Sequence, residues 1–202
     1  CIDLFEKVED HTIDLIFLDP PYNLQLNKVL TRPNHSVVNG VTQDWDKFDN
    51  YASYDEFTLS YLRECKRVLK PDGGLWIIGS YHNIFRIGKI LQDLNFWILN
   101  DVIWAKSNPL PNFRATRLTN AHETLIWCSK KPKSKYQFNY HTLKVANEDK
   151  QERSIWNFPI CSGKERIKNK TNQTAHPTQK PLALMKKIIP VSYTHLRAHE
   201  TV

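Results

Sequence analysis

The chain has 202 residues, is 41% hydrophobic and 11% aromatic, and carries a formal net charge of +7. These values fit one globular domain with a real core and argue against a disordered protein. No apolar run reaches bilayer-spanning length, and the acidic, mixed opening has no secretory pattern.

The first clear element is Ile13-Asp14-Leu15-Ile16-Phe17, a short apolar run that reads as a buried strand over 13–19. Asp19-Pro20-Pro21-Tyr22-Asn23 follows at its C-terminal end, where open α/β sheets place ligands. Prolines donate no backbone hydrogen bond and hold the chain extended, so their carbonyls should stay free to accept. A carboxylate, free carbonyls and an aromatic face together suit an exocyclic amino group on a flat ring. A plain proline turn capped by Asp19 uses the same residues. A polar loop over 23–52 comes next, long enough to be mobile or functional.

Ser53 with Glu56 reads as a capping box that opens a helix carrying Phe57, Tyr61, Cys65 and Val68 at helical spacing. Lys70-Pro71-Asp72-Gly73-Gly74 should stop that helix before an apolar strand, Leu75–Gly79. A helix over 84–94 and a strand from Phe96 to Trp104 complete a β-α-β-α-β rhythm, which predicts a parallel or mixed sheet covered by helices.

The second half changes character. Residues 1–105 hold 10 Lys and Arg against 15 Asp and Glu, a balance of −5. Residues 106–190 hold 17 against 5, a balance of +12, which suits a polyanion-binding face. Ser107–Asn120 reads as a polar linker and Glu123–Cys128 as a strand. Residues 129–175 look loop-rich, with Tyr136, Phe138, Tyr140, Trp156 and Phe158 among the basic residues. Those aromatics suit nucleic acid or a small core under the loops, and the sequence leaves both open. His122 and Glu123 read equally well as a buried pair or as functional groups. Cys1, Cys65, Cys128 and Cys161 form no Cys-x-x-Cys pair, so reduced thiols in a cytoplasmic protein are expected, and no metal site. Pro181–Ile189 reads as an amphipathic helix. The stretch 191–202 resembles a translated sequencing adapter and is expected to be non-native.

Several strings recur in order: Asp19-Pro20-Pro21-Tyr22-Asn23-Leu24-Gln25-Leu26, Trp45-Asp46, Gly79–Arg86, Asn108–Phe113, Thr119–Trp127 and His176-Pro177-Thr178-Gln179-Lys180-Pro181. Each is weak alone, but their order and spacing are specific. Over residues 1–190 the chain resembles a β-class adenine-N6 DNA methyltransferase, within it the GANTC-methylating, cell-cycle-regulated group and its restriction-linked relatives. The resemblance implies an α/β, Rossmann-like S-adenosylmethionine-dependent methyltransferase fold whose cofactor half is largely missing, because no glycine-rich loop follows the His176 string. It divides the chain into a catalytic half (1–105), a basic target-recognition region (106–175), the start of the cofactor half (176–190) and the tail (191–202).

By the same resemblance Asp19, Pro20, Pro21 and Tyr22 are catalytic. Tyr22 would stack on a flipped adenine, while Asp19 and the Pro20 carbonyl accept the two N6 hydrogens and localise the nitrogen lone pair. S-adenosylmethionine would be held by Asp19, His176, Thr178, Gln179 and Lys180. Double-stranded DNA would be contacted by Asn23, Leu24, Gln25, Leu26, Arg32, His82, Asn83, Arg114 and Arg117. The class often dimerises, so a homodimer is also implied; no restriction endonuclease partner is identified. N4-cytosine methylation, RNA adenine methylation and a non-catalytic nucleic-acid-binding fragment are the alternatives.

Overall fold

The computed structural model describes residues 2–24, 30–31, 37–38, 44–112, 115–176 and 178–193. A short turn of helix, α1 (Ile2–Phe5), precedes β1 (Ile13–Leu18), and a two-stranded ribbon of β2 (Leu30–Thr31) and β3 (Val37–Val38) stands apart. Helix α2 (Tyr51–Val68) then leads into β4 (Leu69–Gly79), α3 (Ile84–Asp93), β5 (Trp97–Lys106) and β6 (His122–Ser129). After these come α4 (Tyr140–Ala146), β7 (Ile155–Phe158) and α5 (Leu182–Ser192).

Five strands form one mixed sheet in the order β1-β4-β6-β5-β7. β1 pairs parallel with β4, β5 pairs parallel with β7, and β6 runs antiparallel to both neighbours, β4 and β5. The strands of the acidic half and of the basic half therefore share one sheet. Side chains along β4 alternate between its two faces, as pleating requires. Leu75 and Ile77 pack with Tyr61, Leu62 and Cys65 of α2 and Ile87 and Leu91 of α3. Trp76 and Ile78 face the opposite core, with Leu143 of α4, Trp156 of β7, and Leu184, Ile188 and Val191 of α5. The result is three layers with helices on both faces.

Several boundaries differ from the sequence expectation. The cap of α2 is Asn50, not Ser53. Asn50 Oδ1 accepts the Ser53 N–H at 2.9 Å, and Ser53 Oγ accepts the Asn50 N–H at 3.3 Å. A hydroxyl at the third helical position completes this box as well as the carboxylate expected at Glu56 would. Lys70–Gly74 does not separate helix from strand. Two steps along β1, Ile13 to Leu15, match five along β4, Leu69 to Gly74, so these residues bulge within the strand. That bulge is tied down from outside, by Ser134 Oγ on the Pro71 carbonyl and by the Lys135 N–H on Asp72.

The stretch 129–175, expected as loops, holds α4 and β7, and Trp156 is buried beside Trp76 with ring centroids 5.7 Å apart. For Trp156 the core reading holds. Tyr136, Phe138 and Tyr140 keep substantial exposure at that core's edge. Helix α5 continues through Pro190 to Ser192, where Val191 is buried and Ser192 Oγ accepts the Trp76 indole N–H at 2.9 Å.

Candidate active site

Asp19 leaves β1 at the edge where β4 also ends. The next residues form a lip whose shape is fixed by groups from three other segments. Tyr54 of α2 donates its hydroxyl to the Pro21 carbonyl at 2.9 Å, and Asn83 Nδ2 approaches the same oxygen at 3.3 Å. The expectation that both proline carbonyls stay free is therefore wrong for Pro21. For the Pro20 carbonyl no donor is present among the described residues. Past Tyr22 the chain turns through Asn23 at φ +54°, a left-handed conformation that asparagine tolerates. Asp46 holds that turn: its carboxylate accepts the Asn23 N–H at 2.8 Å and the Leu24 N–H at 3.0 Å, and the residue is only 3% exposed.

The lip borders a cavity of about 340 Å³ lined by Asp19, Pro20, Pro21, Tyr22, Leu24, Trp45, Asp46, His176 and Thr178. Trp45 and His176 lie nearly parallel across it, with ring centroids 6.1 Å apart. The Asp-Pro-Pro-Tyr string and the His176 string, more than 150 residues apart, thus meet in one hollow. Lys180 reinforces that meeting. Its ammonium lies 2.9 Å from each Asp19 carboxylate oxygen and 4.9 Å from the centre of the Tyr22 ring. Burial raises the Asp19 pKa above the ordinary carboxylate value, and the Lys180 ammonium opposes that rise. The Tyr22 hydroxyl is pushed well up, first by burial and then by Glu123, to which it donates at 2.8 Å.

The remaining expected site residues divide. His176, Thr178 and Leu24 line the cavity. Gln179 uses its amide elsewhere: Oε1 accepts the Ile167 N–H at 2.9 Å and Nε2 donates to the Glu165 carbonyl at 3.0 Å. Asn83 is 1% exposed, and its amide serves Pro21, the Tyr54 hydroxyl and the Ser80 N–H, so it shapes the lip from inside rather than meeting a ligand. The Asn23 residue is likewise buried. His82 lies against the exposed Tyr81 ring at 4.0 Å, and the Arg117 guanidinium reaches the Tyr81 hydroxyl. Burial, then Arg117, lowers the His82 pKa. Gln25, Leu26, Arg32 and Arg114 lie outside the described residues. Sequence reasoning did not assign Asp46, Tyr54, Lys106 or Glu123 to the site. Trp45-Asp46 carried a signal as a motif without a role, and Glu123 lay in the Thr119–Trp127 string, where it read equally well as structural or functional.

A strand-end carboxylate beside an aromatic ring, at the C-terminal edge of a mixed sheet whose antiparallel strand lies between β4 and β5, belongs to a fold shared with solved DNA methyltransferases, an α/β methyltransferase domain. A family model described as DNA methylase matches residues 13–196, and the chain belongs to that family. That match, like α5, runs past Pro190. M.HinfI of Haemophilus influenzae, a type II methyltransferase, is 53% identical over 189 residues, covering 94% of this chain and 53% of that protein. M2.MboI of Moraxella bovis, also a type II methyltransferase, is 42% identical over 190 residues, covering 94% and 67%. The chain thus spans about half the length of one relative and about two thirds of the other. The crystal structure of an M1.HpyAVI–SAM complex matches at a TM-score of 0.60 and 26% identity, over 96% of this chain and 72% of that one. The PvuII cytosine-N4-specific DNA methyltransferase shares the fold at a TM-score of 0.65 and 18% identity, over 96% and 68%.

Proposed function

We propose that the protein to which this chain belongs transfers a methyl group from S-adenosylmethionine to N6 of adenine in double-stranded DNA, within GANTC, in the cytoplasm. The observation that carries this reading is the shared cavity of Asp19, Tyr22, His176 and Thr178. An acceptor for an amino group and a stacking ring open onto the same space as the expected cofactor residues. The 53% identity to a type II methyltransferase supports it.

The residues present fit the cofactor. Asp19 offers a carboxylate to a cation, Thr178 a hydroxyl, and the Trp45–His176 pair flat faces for a ring. When bound, S-adenosylmethionine supplies an electrophilic methyl on a sulfonium. The chain's own residues do the rest. Tyr22 stacks the extruded base. Asp19 accepts one amino hydrogen and the Pro20 carbonyl the other, which draws the nitrogen toward a tetrahedral shape. The gain is orientation plus stabilisation of charge developing on the nitrogen. The basic stretch 106–175 supplies phosphate contacts, with Arg117 at the rim beside Tyr81.

The test is to incubate the whole protein with S-adenosylmethionine and duplex DNA, digest with a GANTC-cutting nuclease, and identify the methylated nucleoside by mass spectrometry. Protection together with N6-methyladenine is expected. Unprotected DNA or N4-methylcytosine would overturn the reading.

A further inference from the structure

Behind the lip lies a row of four charges, in which Lys106, Glu123 and Lys180 are largely withdrawn from water and Asp19, with a side chain 29% exposed, stands at the open end. Lys106 Nζ sits 2.8 Å from Glu123 Oε1, and Glu123 Oε2 accepts the Tyr22 hydroxyl at 2.8 Å. Lys180 Nζ lies 3.9 Å from Glu123 Oε2 and 2.9 Å from Asp19. The side chains of Lys106, Glu123 and Lys180 are 11%, 13% and 9% exposed. The signs alternate and sum to zero, which is how buried charges persist.

Glu123 reaches this place through strand direction. Because β6 runs antiparallel, its first residues lie at the edge where β1, β4 and β5 end, and Glu123 pairs with Trp104 near the end of β5. We propose that Glu123 is a positioning residue of the catalytic lip, fixing the plane of the Tyr22 ring and sharing Lys180 with Asp19; the proposal rests on the methyl-transfer reading above. The argument is geometric. A stacking ring held only by its face can tilt, whereas one whose hydroxyl is bonded to a fixed carboxylate cannot. A lysine with two carboxylate neighbours also draws less electron density from either. Without the Glu123 charge, two ammonium groups oppose one carboxylate, and Lys180 binds Asp19 harder. Asp19 then becomes a poorer acceptor for an amino hydrogen.

The experiment compares Glu123→Gln, Tyr22→Phe, the double variant and Glu123→Asp in the whole protein, by single-turnover and steady-state methyl transfer. Glu123→Gln is expected to lower kcat about tenfold or more, the worth of one charge-assisted contact, while KM for DNA changes less than about threefold. The double variant should be no slower than the slower single, because both cut the same link. Glu123→Asp should recover part of kcat. The acid limb of the kcat profile should move to lower pH in Glu123→Gln. Asp19 faces Lys180, Glu123 and His176, and of these Glu123 alone raises its pKa. The NMR ring signals of Tyr22, assigned by their loss in Tyr22→Phe, should shift in Glu123→Gln without any turnover being needed. Full kcat with an unmoved acid limb, additive single effects, or unchanged Tyr22 ring signals would each overturn the proposal and leave Glu123 a structural counter-ion for Lys106. Absence of methyl transfer by the parent protein would count against the functional reading instead, and the ring signals would then decide the positioning role alone.

Discussion

At the scale of single residues, Asp19 stands between opposed influences: withdrawal from water raises its pKa and the Lys180 ammonium lowers it. The proposed acceptor role needs the ionised form, so methyl transfer should fall as pH drops through a value above the ordinary 3.8. The sign for stability is the reverse. A carboxyl whose folded pKa is raised stabilises the fold most when protonated, and that contribution is lost as pH rises through the folded pKa. Asp19→Ala should lower kcat about a hundredfold or more while leaving duplex affinity within about threefold, measured by turnover and by fluorescence anisotropy. Comparable turnover in the variant would remove Asp19 from the chemistry. Asp46 is a structural counterpart. Asp46→Ala leaves two backbone N–H groups of the lip without their acceptor, which should cost about 1.5–3 kcal/mol in urea denaturation. The placement of Asp19 and Tyr22 at a strand end beside a cavity was legible because chemistry and strand position coincided in one string. The partners of Asp46 and Glu123 were not, because a motif string far along the chain carries no sign of which distant groups its carboxylate will face.

At the scale of elements, hydrophobic periodicity located α2, α3, β1, β5, β6 and α5 within a few residues. Short-range chemistry misled where two solutions were available. Asn50 and Ser53 are both good caps, and only the path of the chain into α2 selects Asn50. The Lys70–Gly74 string reads as a turn because turns and bulges use the same residues, and only pairing with β1 distinguishes them. Gly79 is needed where β4 ends. A Cβ there would lie 2.6 Å from Asn83 Oδ1, the amide that braces the lip. The end of α5 gives a direct test. Ser192→Ala leaves the buried Trp76 N–H without its acceptor and should destabilise by about 1–3 kcal/mol. An unchanged urea midpoint would mean that residues past Pro190 do not belong to the folded unit. In the α2 core, burial pushes the Cys65 thiol up to about 12 from 9.0, and the Tyr54 hydroxyl is also pushed up to about 12. Both groups ionise more readily when unfolded, so stability should fall as pH rises from about 9 toward 12. Cys65→Ala should flatten part of that slope, read from urea midpoints across the alkaline range.

At the scale of the whole molecule, the sequence presents an acidic half and a basic half, while the structure weaves both into one sheet. Neutralising phosphates releases counter-ions, so duplex affinity should fall steeply and linearly on a log–log plot of salt. About a thousandfold between roughly 50 and 200 mM salt is expected if six phosphates are contacted. A flat plot would remove the basic stretch from DNA binding. The sequence by itself determined the class of sheet, and it proposed an amino-group acceptor and an anionic partner, because periodicity, motif order and composition are local or additive properties. Tertiary structure alone decided that β6 runs backwards between β4 and β5. That reversal carries Glu123 to the edge where Asp19 and Tyr22 stand. Which distant charges meet depends on strand order and direction, and these are set by packing on both faces at once.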